Sequence, residues 1–381
     1  MLKKYFVMLV CVCMLLCMVN FVSADTIKIG ANTCLTGYGS ADGLSSQRGM
    51  ELAVKLINDS GGINGNKIEL IIYDDKAESK EALGAGHRLI EKDKIVAAIG
   101  GSYSTPSRAL APFFDSKKIP YIVAYATHPE ITSDKKYVIG MGVYAELHGR
   151  SIAKVAFDKL HAKTASILYV DAQSGAETAN EFKKYASKLG IDILSENKFP
   201  FGEIDFRSLL NNIKNNNPDV LVALAFYQEG ALIVKQAKEI GLKATIISYE
   251  GMDSPMLFEL GGEATNGVII TTTLNRDSDN ALTQKFLEEY KNAYGVEADM
   301  VAAGCFDAVG LLAYAIKQSG TDADAIIETI VNLKNYENAV TGPFIRFDDE
   351  QNVIRVIVAE IVRDQAFRHF YTIDDPEYIT P

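Results

Sequence analysis

From Thr26 onward, short apolar runs ending in polar loops alternate with helical stretches almost without a break. This rhythm constrains the fold more than any other feature of the chain. Strands covered on both faces read as continuous apolar runs, and each parallel connection needs a crossover helix, so the pattern predicts wound, mostly parallel sheets. Thr26–Asn32 predicts the first strand. Ser45–Ser60 predicts a helix whose Met50, Ala53, Val54 and Ile57 form one apolar stripe, stopped by Gly61 and Gly62. Lys67–Tyr73 predicts a second strand and 80–92 a second helix.

The stretch 95–132, IVAAIGGSYSTPSRALAPFFDSKKIPYIVAYATHPEIT, holds two further strands, Ile95–Ile99 and Ile119–Ala124, with a helix between them. In an open α/β sheet ligands bind at the carboxyl ends of strands, and these two ends carry Tyr103, Ser104, Thr105, Tyr125 and Thr127. Pro106 marks a helix start. Ser104 or Thr105 at its cap would set hydroxyls beside free backbone N–H groups and the positive helix end, which suits a carboxylate. Plain helix capping would account for the same residues, and both readings stay open at this point.

The rhythm restarts after Tyr137–Met141. Strands are predicted at Ala165–Val170, Ile191–Glu196, Asp219–Ala225, Ala244–Ser248 and Gly267–Thr272, with helices between them. These strands run into loops such as Phe226-Tyr227-Gln228-Glu229-Gly230 and Tyr249-Glu250-Gly251. Long helices follow at 281–294 and 301–318, then two hairpin-like strands at 343–347 and 353–362. No Pro-rich or Ser-rich linker interrupts the chain. Two sheets without a linker imply two lobes joined by short crossing strands, an architecture suited to hinge motion.

Residues 1–24 open with Lys3 and Lys4, continue through the apolar run Tyr5–Val22 and end at Ser23-Ala24, the pattern of a secretory signal peptide. The run is about as long as a short membrane span, so an uncleaved anchor stays open. Cys17 follows the bulky Leu16, which fits a lipoprotein signal poorly. Loss of Lys3 and Lys4 with the leader takes the formal charge from −11 to −13. An acidic surface of this kind argues against nucleic-acid and anionic-membrane partners. Outside the leader only Cys34 and Cys305 remain, too few for a disulfide scaffold; one bridge or two separate core thiols are the alternatives. A hydrolase lacks its signature here, because no G-x-S-x-G occurs. Neither H-E-x-x-H nor a Cys/His pair at ligand spacing is present, so no metal, cofactor or catalytic residue is expected.

At this point a set of short motifs becomes informative through its order. Leu35-Thr36-Gly37, Gly49-Met50-Glu51-Leu52-Ala53-Val54 with Ile57-Asn58, Gly61-Gly62-Ile63-Asn64-Gly65, Tyr73-Asp74-Asp75, Ile119-Pro120, Ala126-Thr127 with Pro129-Glu130, Tyr249-Glu250-Gly251 and Phe306-Asp307-Ala308-Val309 follow one another along the chain. In that order the chain resembles the type I periplasmic binding proteins of the leucine/isoleucine/valine class, soluble receptors of branched-chain amino-acid ABC importers. The resemblance implies an α/β fold of two doubly wound, Rossmann-like lobes joined by three crossing strands near Val143, Thr273 and Phe347. It implies residues 25–143 with 274–347 as one lobe, and 144–273 with 348–381 as the other.

The resemblance also implies roles. Ser104 and Thr127 would hold a ligand α-carboxylate, with backbone groups of Tyr103, Tyr125 and Ala126 beside it. Glu250 would take the α-ammonium, and Phe226, with Tyr227 next to it, would wall the site. Two positions depart from the family pattern: Ser174 stands where a tyrosine is usual, and Asp42 lies near a usual aromatic. The expectation is a monomeric, non-enzymatic protein outside the cytoplasm. It would capture a branched-chain, hydrophobic or aromatic amino acid between closing lobes and deliver it to a membrane permease. An aromatic or aliphatic carboxylic acid as ligand, or a ligand-sensing ectodomain of the same fold, are the alternatives.

Overall fold

The computed structural model describes residues 26–381, so the leader 1–24 lies outside the described residues. The strand–helix rhythm becomes two sheets. The first is built from β1 (Ile27–Thr33), β2 (Ile68–Asp74), β3 (Ala97–Gly101), β4 (Tyr121–Val123) and β5 (Val138–Gly140), all parallel, in the order β2-β1-β3-β4-β5. The connecting helices are α1 (Ser40–Asp59), α2 (Ser79–Arg88) and α3 (Ser104–Ser116). Alternate strand residues feed two cores, which is why the strands read as unbroken apolar runs. Ala97, Ile99 and Ile122 pack to one side, Ala98, Tyr121 and Val123 to the other.

After α4 (Ala145–Asp158) the second sheet begins, with β6 (Thr164–Val170), α5 (Gln173–Leu189), β7 (Asp192–Phe199), α6 (Arg207–Asn216), β8 (Val220–Leu224), α7 (Tyr227–Glu239), β9 (Thr245–Tyr249), α8 (Pro255–Gly261) and β10 (Ile269–Thr272). These strands run β7-β6-β8-β9-β10, the same winding as the first sheet. The chain then returns to the first core with α9 (Ala281–Tyr294), α10 (Met300–Ser319) and α11 (Ala323–Val331). Among the described residues α10 alone is long and apolar enough to cross a membrane; here it is buried against α1. The approach is close: a Cβ on Gly49 would sit 2.1 Å from the Ala302 carbonyl oxygen, so only glycine fits that position.

A small antiparallel sheet, β11 (Lys334–Tyr336), β12 (Phe344–Phe347) and β13 (Val353–Arg355), ends the first half. The antiparallel strands β14 (Ile357–Arg363) and β15 (Ala366–Ile373) then extend the second sheet, and α12 (Pro376–Ile379) closes the chain. The chain therefore passes between the sheets three times, after β5, after β10 and between β13 and β14. The third passage falls later than Phe347, because Val353 still packs in the first core and Asn352 bridges Gly140 of β5. At the second passage Arg276 is clamped by Asp253 and Glu360, two buried carboxylates that hold its guanidinium charged despite burial.

Other readings change in detail. The first helix begins at Ser40 rather than Ser45, and the strand expected over 353–362 is two strands in different sheets. The two thiols are separate and buried: Cys34 Sγ donates to the Gly39 carbonyl, and Cys305 Sγ lies 3.1 Å from Ser46 Oγ.

Candidate functional site

In each sheet the winding direction reverses beside the first strand of its half, between β1 and β3 in one and between β6 and β8 in the other. Loops leaving neighbouring strands at such a point diverge and open a crevice. The two crevices face each other and enclose one cavity of about 380 Å3. Its first wall carries Tyr38 from the β1–α1 connection, Asp42 from the first turn of α1, Tyr103 before α3 with Ser104 and Thr105 at its start, and Tyr125, Ala126 and Thr127 after β4. Its second wall carries Gln173 and Ser174 from the start of α5, Phe201 after β7, Phe226 after β8 and Tyr249 and Glu250 after β9.

Seven of the eight residues expected from the sequence therefore come together. Tyr227 does not: as the first residue of α7 it turns into the second-sheet core, 4% exposed, and its hydroxyl accepts from Gln228 Nε2 at 2.8 Å. Phe226, one position earlier and still extended, points to the cavity.

The anion end differs from the sequence reading in one respect. The cap of α3 is Tyr103, in extended conformation and without a side-chain cap bond, so Ser104 and Thr105 occupy the first helical turn. Their N–H groups have no helical partners, and Pro106 brings none, which leaves two donors and the positive helix end directed at the cavity. Thr127 joins them from the loop after β4.

On the opposite wall Glu250 opens a 3-10 turn after β9 and is 9% exposed. Its Oε2 is buried without a hydrogen bond; His148 Nε2 lies 3.3 Å away, not aligned for one, while His148 Nδ1 is 2.9 Å from Thr271 Oγ1. A buried carboxylate oxygen without a donor costs free energy unless a cation or donor is supplied. Glu250 thus suits an ammonium group, and the α3 end suits a carboxylate.

Asp42, in the first turn of α1, is the feature the family pattern did not foresee. Burial pushes its carboxyl up to about 7, the Tyr103 hydroxyl opposes that rise, and Asp299 and Asp253 add to it. Tyr103 donates to Asp42 Oδ2 at 2.6 Å. The contact depends on Gly39, because a Cβ there would lie 2.5 Å from the Tyr103 ring and 2.9 Å from its hydroxyl.

The two walls also touch directly at the mouth. Tyr38 donates to both carboxylate oxygens of Glu229, at 3.1 and 2.9 Å, its ring packs tilted against Phe201 with centroids 4.1 Å apart, and Gln228 Nε2 donates to the Tyr38 carbonyl at 3.3 Å. Tyr103 and Phe226 meet at 5.9 Å between ring centroids. These partners lie far apart in sequence, on loops with no periodic signal, and sequence reasoning missed Tyr38, Phe201 and Glu229 for that reason. Among the described residues no cluster of three or more His, Cys, Asp or Glu side chains could hold a metal ion.

Comparison with known proteins agrees with this geometry. The family model for periplasmic binding protein matches residues 26–366. The leucine-, isoleucine-, valine-, threonine- and alanine-binding protein of Pseudomonas aeruginosa is 26% identical over 313 residues, 81% of this chain and 83% of its own. Among solved structures, the branched-chain amino acid transporter substrate binding protein LivJ from Streptococcus pneumoniae, in complex with isoleucine, superimposes with a TM-score of 0.84. It is 26% identical and covers 91% of this chain and 99% of its own. A solute binding protein of an ABC transporter from Rhodopseudomonas palustris, in complex with 3,4-dihydroxybenzoic acid, gives 0.83 at 25% identity, covering 92% and 98%. With its fold, its paired crevices and a family match over most of its length, this chain belongs to the periplasmic binding proteins, in the type I, leucine/isoleucine/valine-binding class.

Proposed function

We propose that the chain is the extracytoplasmic solute-binding component of an ABC importer and that it captures an α-amino acid between two lobes. One observation carries the reading: a helix N-terminus with Ser104 and Thr127 on one wall of the cavity, and Glu250 with a buried, unbonded carboxylate oxygen on the other. A zwitterion satisfies both walls at once. Closure requires ligand contacts from both lobes, because a ligand held equally well by the open and closed forms shifts nothing. The lobes in this reading are residues 25–143 with 274 onward through β13, and 144–273 with β14 to the C-terminus, hinged at the three passages. The protein acts as a monomer outside the cytoplasm after removal of residues 1–24, carries no catalytic step, and hands its ligand to a membrane permease.

A second reading, an aromatic carboxylic acid as ligand, is favoured by the dihydroxybenzoate complex of the Rhodopseudomonas relative and by the aromatic walls of this cavity. The deciding experiment is a thermal-shift screen of L-amino acids and aromatic acids on the purified protein. A ligand that binds only the folded state raises the melting temperature. Stabilisation by an amino acid and not by its deaminated analogue supports the first reading; the reverse result refutes it.

A further inference from the structure

The side-chain end of the cavity is not the aliphatic pocket that a leucine or isoleucine would ask for. Asp42 lines it, only 8% exposed, and among the described residues the Tyr103 hydroxyl is the sole hydrogen-bond partner of its carboxyl. Among the described residues no cation pairs with it. Arg108, the cationic side chain on the cavity wall, is bridged to Glu130, and Asp253, another wall carboxylate, is held by Arg276. A zwitterion placed with its carboxylate at Ser104 and Thr127 and its ammonium at Glu250 leaves Asp42 unanswered.

Tyr103, which holds Asp42, belongs to a run of rings along the cavity: Tyr125 to Tyr103 at 6.3 Å, Tyr103 to Phe226 at 5.9 Å and Phe226 to Phe201 at 5.7 Å, measured between centroids. Rings flanking an acceptor suit two kinds of ligand group: an aryl ring that stacks and ends in a hydroxyl, or a hydrocarbon stem that ends in a cation. Both place a hydrogen-bond donor against a carboxylate. An aliphatic side chain in the same place would shut the cleft over a buried acceptor and give it nothing.

We propose that Asp42, set by Tyr103, is the specificity residue of this site and selects an α-amino acid whose side chain ends in a hydrogen-bond donor. The proposal rests on the α-amino-acid reading above and sharpens it. The position of Asp42 in the first turn of α1 agrees with this role, since the positive helix end eases the burden of a buried carboxylate that must wait for its partner. Gly39 serves the same arrangement by leaving room for the Tyr103 ring.

The test uses two matched pairs that differ only in the donor: L-tyrosine with L-phenylalanine, and L-lysine with L-norleucine. Titration calorimetry on the wild-type protein at pH 8, above the value of about 7 to which burial pushes Asp42, should show, in at least one pair, a preference of about ten- to a hundredfold for the donor-bearing member. Preference within the tyrosine pair identifies a phenol as the donor, and preference within the lysine pair an ammonium. Asp42→Leu should erase that preference by weakening the donor-bearing member relative to the donorless one. The proposal is overturned if phenylalanine and norleucine bind as tightly as their partners, if leucine outcompetes all four, or if Asp42→Leu keeps the preference. Those results leave the α-amino-acid reading standing. Binding of 3,4-dihydroxybenzoate with no amino acid bound would instead overturn that reading, and this one with it.

Discussion

Replacing Glu250 with glutamine separates the charge of this residue from its shape. The carboxylate is 9% exposed, its Oε2 has no hydrogen bond, and His148, whose Nε2 lies 3.3 Å from it, is itself fully buried and engaged with Thr271. Glutamine fills the same volume, so the packing of the 3-10 turn survives. What changes is the partner offered to a ligand ammonium, which would then be buried in the closed cleft without a countercharge. Truncating one member of a buried charge pair costs about 2 to 5 kcal/mol, roughly a 30- to 5,000-fold loss of affinity. Most of that loss should appear as faster release. The ligand-free protein should behave oppositely: removing a desolvated carboxylate should leave the melting temperature unchanged or raise it. Titration calorimetry of wild type and Glu250→Gln against an amino acid and its deaminated analogue reads all of this. The amino acid should lose affinity, while the analogue, no longer facing a negative charge, should lose none. Wild-type affinity of Glu250→Gln for the amino acid would refute the reasoning.

Ser104→Ala and Thr127→Ala should each weaken binding by about 1 to 3 kcal/mol without changing the fold, as hydrogen bonds to a charged partner do; unchanged calorimetric affinity in both would remove the carboxylate site. Tyr38→Phe deletes the hydroxyl that spans the mouth to Glu229 and should destabilise the closed form by about 1 kcal/mol, read as ligand release several-fold faster in stopped flow; an unchanged release rate would show that the mouth contact does not hold the lobes together. Asp42 is pushed up to about 7 and Asp299 and Asp307 to about 6, all chiefly by burial. The folded protein therefore holds protons that the unfolded chain has released, so this stabilisation is complete at acid pH and is lost as pH rises through 6 to 7. The ligand-free melting temperature should climb between pH 8 and pH 5, a window above the range where the lowered carboxyls Asp74, Glu181 and Asp219 begin to protonate; a flat or falling profile would contradict it.

The parts of the molecule legible in the sequence are those where burial is continuous or periodic. β3 and β8 are buried at every position, and both stood out as unbroken apolar runs bounded by turn residues. The strand ends followed, and with them the site loops, because a sheet of this kind places its ligand at the carboxyl edge. β15 was not legible: on this antiparallel edge only Phe367 and Ile373 of Ala366–Ile373 are buried, the exposed pair Arg368 and His369 breaks any alternation, and the strand lacks the apolar run of a covered one. Tyr227 parts from its neighbour Phe226 because side-chain direction turns sharply at a helix cap. Phe226 is extended and faces the cavity, and the next residue, already helical, faces the core. Tyr38, Phe201 and Glu229 were out of reach altogether, since contacts between the walls join residues far apart in the chain. Asp42 was visible as an oddity, yet only the Tyr103 contact and the cavity wall give it a meaning.

Whether a zwitterion bridges the two walls is read from a crystal structure of the protein with the amino acid that most raises its melting temperature. The ligand carboxylate should lie within hydrogen-bond distance of the Ser104 and Thr105 N–H groups and the Thr127 hydroxyl, and its ammonium against Glu250, with the same molecule touching both lobes. A ligand held by one wall alone, or bound with its ammonium away from Glu250, would contradict the bridging.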